Sequence, residues 1–344
     1  MASPVVCVLK GKDGKDGVRL AVDFRYVNKH TAGDAFPVPD IADVKQRIGN
    51  KRWITVTDTK AGYWQTSVKP DDRWLTAFVY NDGLYQFCRT PFGLKSSGAT
   101  FVRVLKKILQ PISDFTDSYV DDIATFSDEW NQHLVDLENF LQTISHAHIA
   151  LNIKKCKFAQ HQVKFCGELI GSGQRKIDPD KMEVIHKIQA PTTKTELRQI
   201  LGLFSFFRDY IPRFAEIVLS LTYLTKKNVP DRLPWSQKHD EALANLKQAL
   251  CEAAQRNLTV VNFSKPYDIF VDVNEKSVSG ILTQQDAKRQ YTLIAFFSQK
   301  LNDTQRRWST VEREAYAVMV ALRKYRSWLF WSVVHIHSDH NPLR

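Results

Sequence analysis

Two adjacent carboxylates, Asp121 and Asp122, interrupt an otherwise strand-forming run, Ser118-Tyr-Val-Asp-Asp-Ile-Ala-Thr-Phe-Ser127. Carboxylates are depleted in strands, and burying one without a partner is costly. Two readings survive at this point. The pair is either a solvated hairpin turn, or a turn that aims its oxygens at a hard divalent cation such as Mg²⁺. A second strand-like segment, Trp53-Ile-Thr-Val-Thr-Asp58, also ends on a carboxylate. If Asp58 joins Asp121 and Asp122, the set suits in-line phosphoryl displacement with two metal ions. One ion activates the attacking oxygen and the other stabilises the leaving pyrophosphate.

Length and charge narrow the field. A chain of 344 residues exceeds one average core, so several compact units are expected. Lys and Arg outnumber Asp and Glu by 48 to 37, a formal charge of +11 that favours a polyanionic partner. The 5 cysteines are odd in number and form no CxxC pair, which argues against a disulfide framework or a zinc site. No signal peptide and no membrane-length apolar run is present, so a cytoplasmic location is expected.

Along the chain, Pro4–Leu9 and Val18–Phe24 read as a hairpin around a basic glycine turn containing Lys10, Lys12 and Lys15. That turn is either a solvated loop or a flexible finger that grips phosphates. Strands are expected at 74–80 and 84–89, flanking Asn81-Asp82-Gly83. Helical spacing appears over 99–110 and over 130–148, the latter with Leu134, Leu137, Phe140, Leu141 and Ile144 on one face. Asp178-Pro179 and the capping box Thr193-x-x-Glu196 open further helices in a basic stretch, 171–255. From about residue 265 the pattern turns to strands, with a helix capped by Ser309-x-x-Glu312 whose apolar face includes Val311, Ala315 and Val318. The pairs His146/His148 and His335/His337 lack cysteine partners and read as structural.

In this order the motifs resemble those of the reverse transcriptases of LTR retrotransposons of the gypsy class, and more distantly those of retroviruses. The matching residues are Val22-Asp23-Phe24-Arg25-x-x-Asn28-Lys29, Thr57-Asp58-x-x-x-Gly62-Tyr63-x-Gln65, Thr90-Pro91-Phe92-Gly93-Leu94-Lys95-x-x-x-Ala99-Thr100-Phe101 and Tyr119-Val120-Asp121-Asp122. Lys155-Cys156-x-Phe158, Phe165-Cys166-Gly167 and Leu197–Phe214 continue the series into the family's primer grip and thumb helix. Gly98 stands where members of the family usually carry proline.

The resemblance implies an α+β fold, a right-hand polymerase of fingers, palm and thumb followed by an RNase H-like α/β domain. Fingers and palm would occupy 1–170 (fingers about 1–32 and 66–96, palm about 33–65 and 97–170), a thumb or connecting region 171–255, and the RNase H-like domain 265–344. It makes Asp58, Asp121 and Asp122 the metal-binding catalytic residues, with two Mg²⁺ or Mn²⁺ ions per active site. Tyr63 becomes the gate that excludes a ribose 2′-hydroxyl, though its residue-level reading is a half-buried core aromatic. Arg19 is assigned to the incoming triphosphate, Phe92 and Gly93 to the nucleotide pocket, and Phe165, Cys166 and Gly167 to the primer grip.

Asp272, Glu314 and Asp339 form a second carboxylate set. Asp272 and Asp339 are strand ends, and Glu314 lies on the intervening helix. Each alone reads as an ordinary surface carboxylate. The segments Ser309–Val318 and Ser338–Leu343 resemble the RNase H domain, where such carboxylates hold two metals that cleave the RNA strand of a hybrid. That fold's fourth carboxylate and final helix fall after Asp339, so truncation and weak hydrolysis are expected, and the start falls inside the fingers. Implied partners are an RNA template, a DNA primer, an RNA/DNA hybrid, dNTPs and other parts of a Pol polyprotein (protease, integrase), with no membrane. The alternatives are a catalytically decayed nucleic-acid-binding relic and an RNA-dependent RNA polymerase.

Overall fold

The computed structural model describes residues 2–9, 17–34, 36–37 and 39–339, with the side chains of Val8, Leu9, Arg19 and Leu20 outside the description. Lys10, Lys12, Lys15 and the Arg19 side chain therefore lie beyond what the structure describes. The chain divides into two compact units, Met1–Val163 and Lys164–Arg344. Helices and sheets are mixed in both.

In the first unit, the strand Trp53–Asp58 lies between Asp122–Ser127 and Lys157–Gln160, with Thr116–Tyr119 at the far edge. Its burial is almost complete from Ile54 to Thr57, which explains its run of β-branched residues. Helices Ser97–Leu109 and Trp130–His146 supply Phe101, Leu105, Phe140 and Ile144 to a core that includes Ile123. The hairpin at the start pairs Val5–Leu9 with Val18–Val22.

Two sequence expectations are corrected here. The strand expected at 74–80 begins only at Phe78, because Pro70-Asp71-Asp72 starts a 3₁₀ turn that runs to Thr76. Its partner is the short strand Gly83–Tyr85. On the helix Trp130–His146, Leu134 and Leu141 are exposed, whereas His133 and Asp136 are buried. Their burial is satisfied by hydrogen bonds. Thr55 Oγ1 lies 2.9 Å from His133 Nε2, and Ser127 Oγ donates to Asp136 Oδ2 at 2.6 Å. Polar groups with partners can occupy a core position that hydropathy alone assigns to leucine.

The second unit opens with hairpins. Val163–Phe165, Glu168–Gly171, Gln174–Ile177 and Leu258–Thr259 form one sheet, so the basic stretch from 171 is not helical throughout. Both expected helix caps are present, at Asp178 and in the Thr193/Glu196 box. Helices Lys194–Phe206 and Gln237–Ala254 build a core around Leu197, Phe204, Leu246 and Leu250. A second sheet is ordered Tyr291–Lys300, Ser277–Gln285, Tyr267–Val273, Val334–His337, and the helix Thr310–Lys324 packs on it. That helix buries Glu314, Ala317, Val320 and Ala321, while Val311 is exposed, so the expected face is rotated. Among the described residues no helix is long and apolar enough to cross a membrane.

Candidate active site

Antiparallel pairing sets Asp58 directly opposite Asp122, at the end of the ladder that joins Trp53–Asp58 to Asp122–Ser127. Tyr119 pairs with the same Asp122 across the adjoining hairpin, leaving Val120 and Asp121 as its two turn residues. Val120 has φ of 54°, a left-handed conformation that β-branched residues avoid and that costs about 1–3 kcal/mol. The turn is held by Thr59, whose N–H donates to the Asp121 carbonyl at 3.1 Å. The turn leaves Asp121 close enough to Asp58 for their charges to interact.

The electrostatics follow from that crowding. Burial raises the pKa of Asp121 above the ordinary carboxylate value, and the charge on Asp58 raises it further. Asp122 is raised by burial, then by Asp58 and Asp121. Asp121 Oδ1 is buried without a hydrogen-bond partner. Lys155, at 3.1 Å from Asp58 Oδ2, is the cation of the cluster. Among the described residues, no group of three or more His, Cys, Asp or Glu side chains is gathered closely enough to hold a metal as it stands. Three like charges repel, and Lys155 engages one of them.

Next to the carboxylates, Gly62–Gln65 forms a 3₁₀ turn. Gln65 fixes it, donating to the carbonyls of Lys60 (2.8 Å) and Ala150 (3.0 Å) and accepting from Ala150 N–H at 2.6 Å. Tyr63 packs edge-on against Phe92 and Phe101, with ring centroids 5.4 and 5.7 Å away. Asn28 clasps the adjacent loop, donating to the Gly93 carbonyl at 2.7 Å while its own oxygen accepts from Lys95 N–H at 2.7 Å. Gly93 has φ of 93°, which only glycine adopts freely. A Cβ at Gly98 would stand 3.6 Å from the Tyr63 hydroxyl, an ordinary contact, so local space does not demand glycine there.

The other expected site residues fall in the second unit. Cys166 (φ 47°) and Gly167 (φ 80°) are the two-residue turn between Val163–Phe165 and Glu168–Gly171, and Phe165 is buried. The strand Tyr267–Val273 runs parallel to Val334–His337 with Phe270 opposite His337. Asp272 and Asp339 each lie two residues beyond that rung. Glu314 is buried and accepts from Ser338 Oγ at 3.4 Å, beside Asp339. Asp272 Oδ2 accepts from Arg213 Nη2 at 2.7 Å. Of the histidine pairs, His337 Nε2 lies 2.8 Å from Asp268 Oδ1 and His146 bonds the Gln142 carbonyl.

Residues 9–170 match the sequence profile described as reverse transcriptase (RNA-dependent DNA polymerase), and 235–336 match that of the RNase H-like domain found in reverse transcriptase. The retrovirus-related Pol polyprotein from transposon opus of Drosophila melanogaster is 31% identical over 342 residues, spanning 96% of this chain and 34% of that protein. The chain carries a reverse transcriptase domain followed by an RNase H-like domain. The Pol polyprotein of transposon gypsy, also from Drosophila melanogaster, is 30% identical across 97% of the chain and 33% of its own length. The chain thus spans about a third of the curated relatives it matches. A foamy viral protease-reverse transcriptase (dRH) solved in complex with double-stranded DNA has a TM-score of 0.86 at 25% identity, covering 99% of this chain and 58% of that one.

Several residues of this chain escape reading by motif alone. Lys155 and Gln65 sit inside quoted motifs, but only the fold shows what they hold. Arg213 gave no sequence signal beyond its charge. Its pair with Asp272 is largely exposed and worth about 0–1 kcal/mol. Arg213→Ala is therefore expected to leave the unfolding free energy within about 1 kcal/mol of the parent in a denaturant titration. Gly62 is more constrained. A Cβ there would stand 2.7 Å from Asp121 Oδ1 and 2.7 Å from the buried Phe101 ring. Gly62→Ala should destabilise the protein by about 1–3 kcal/mol in thermal melts, and displace Asp121.

Proposed function

We propose that this chain is an RNA- and DNA-directed DNA polymerase that extends a DNA primer with dNTPs, with Asp58, Asp121 and Asp122 holding two Mg²⁺ or Mn²⁺ ions. The observation that carries the reading is that Asp58 faces Asp122 at one ladder end with Asp121 in the adjoining turn, where a buried Asp121 oxygen lacks a hydrogen-bond partner. The donor set fits: hard carboxylate oxygens at raised pKa are what a divalent cation would stabilise. Such ions, when bound, activate the primer hydroxyl and neutralise charge on the triphosphate.

The remaining chemistry belongs to the chain's own groups. Lys155 offsets the charge of Asp58. Asn28 and Gln65 fix the two loops that border Tyr63, so the ring is positioned before a nucleotide arrives. Tyr63 would exclude a 2′-hydroxyl by its volume, beside Phe92 and Gly93. In the second unit, Asp272, Glu314 and Asp339 would serve cleavage of RNA in a hybrid.

Primer extension on RNA and DNA templates with Mg²⁺ tests the polymerase reading. Template-dependent dNTP incorporation is the expected result, and none under any divalent ion would overturn it. Binding of a primer–template should weaken steeply with salt and vary little with sequence, by about 10³-fold or more between 50 and 200 mM, because phosphate contacts dominate. Titrations at several salt concentrations check this. The decayed-relic alternative is disfavoured by the retention of all three aspartates.

A further inference from the structure

The second unit contains a cleft of about 480 Å³ lined by Lys226, Lys238, Lys276, Lys300, Arg306 and Tyr223, and none of its lining residues belongs to either carboxylate set. The cations come from separate segments of the chain, so their meeting is a product of the fold. Register places Ser277 opposite Lys300, and Leu301 N–H donates to the Lys276 carbonyl at 2.9 Å, which fixes two of them side by side. Lys226 Nζ lies over the Tyr223 ring at 4.6 Å. Among the described residues, Glu216 and Asp303 are the acids that line the same cleft. Glu216 already accepts from Asn274 at 3.1 Å, and Asp303 reaches Arg306 only at 3.7 Å.

The positive charges are therefore crowded and under-compensated. Arg306 Nε is buried with no hydrogen-bond partner. Burial pushes the Lys300 ammonium below the ordinary lysine range, and Lys226 and Arg306 push it further the same way. An arrangement of like charges around an open cleft is stabilised by an anion with several acceptor oxygens. The cleft holds far more than one carboxylate.

We propose that this cleft binds consecutive phosphate groups, either of a nucleic-acid backbone or of a free polyphosphate. Lys300, Lys276 and Arg306 would donate to the phosphate oxygens. The site does not depend on the polymerase reading, because anion binding needs no catalysis.

The test uses the full chain and the double variant K276A/K300A, with K276Q/K300Q as a second pair that keeps side-chain bulk. Tripolyphosphate binding is measured by calorimetry, and duplex binding by fluorescence anisotropy across salt concentrations. The parent should bind tripolyphosphate, and both variants at least about ten-fold more weakly. If the backbone is the source, the log–log salt slope for the duplex should also fall by about 2 in magnitude. Lost tripolyphosphate binding with an unchanged slope assigns the site to free polyphosphate. No tripolyphosphate binding by the parent, or equal binding by parent and variants, overturns the proposal. Without phosphate, relief of repulsion should leave the variants' melting temperatures equal to or above the parent's, and a clear drop would count against the crowding on which the site rests.

Discussion

Asp121→Asn is expected to abolish primer extension, by about 10³-fold or more, while making the metal-free protein more stable. The two effects share one cause. Asp121 and Asp122 have folded-state pKa values raised by burial and then by Asp58. For an acid raised in this way, stability is fully present below the unfolded pKa, about 3.9, and is lost as pH rises through the folded value. At neutral pH both charges therefore oppose folding. Replacing one with a neutral amide relieves it and its neighbour, a gain on the order of 1 kcal/mol after solvent screening. Thermal melts in chelator should show the variant ahead at pH 7 and level with the parent near the unfolded pKa. A lower melting temperature at pH 7 would contradict the assignment. Added Mn²⁺ should stabilise the parent by about 2.7 kcal/mol at a hundred-fold excess over Kd, and the variant by much less.

Tyr63→Val should relax nucleotide selection. The ring is wedged edge-on between Phe92 and Phe101, so it has little room to retreat from a 2′-hydroxyl. Trimming it should lower the dNTP-to-rNTP ratio of kcat/KM by about 10²-fold, mainly through better use of rNTPs. Tyr63→Phe keeps the volume and should keep the selectivity. Single-nucleotide incorporation on a fixed primer–template measures both. If the valine variant discriminates as well as the parent, Tyr63 is only a core aromatic of the turn.

The strand Trp53–Asp58 appeared in the sequence with its true boundaries, because a buried central strand is a short β-branched run bounded by polar residues. Helix starts at Asp178, Thr193 and Ser309 were equally legible, since a cap is a local hydrogen-bond pattern. Helix faces were not. Leu134 and Leu141 point outward while His133 and Asp136 are buried, and Glu314 occupies the buried stripe from which Val311 is excluded. Hydropathy ranks side chains by their cost in isolation. It cannot see that Ser127 and Thr55 pay that cost for the polar pair.

By itself the sequence carried the order of the motifs and the family they resemble, and it marked Asp58, Asp121, Asp122, Asp272, Glu314 and Asp339 as candidates. A carboxylate at a strand end beside glycine and aromatic residues leaves a local signature. Only the tertiary structure decided that Asp58 faces Asp122 across a ladder, that Val120 bends back at positive φ, and that Asp121 keeps an oxygen unpartnered. The same holds for the cleft where Lys226, Lys276, Lys300 and Arg306 meet. These are matters of register and through-space charge between residues far apart in the chain, and no local pattern encodes them.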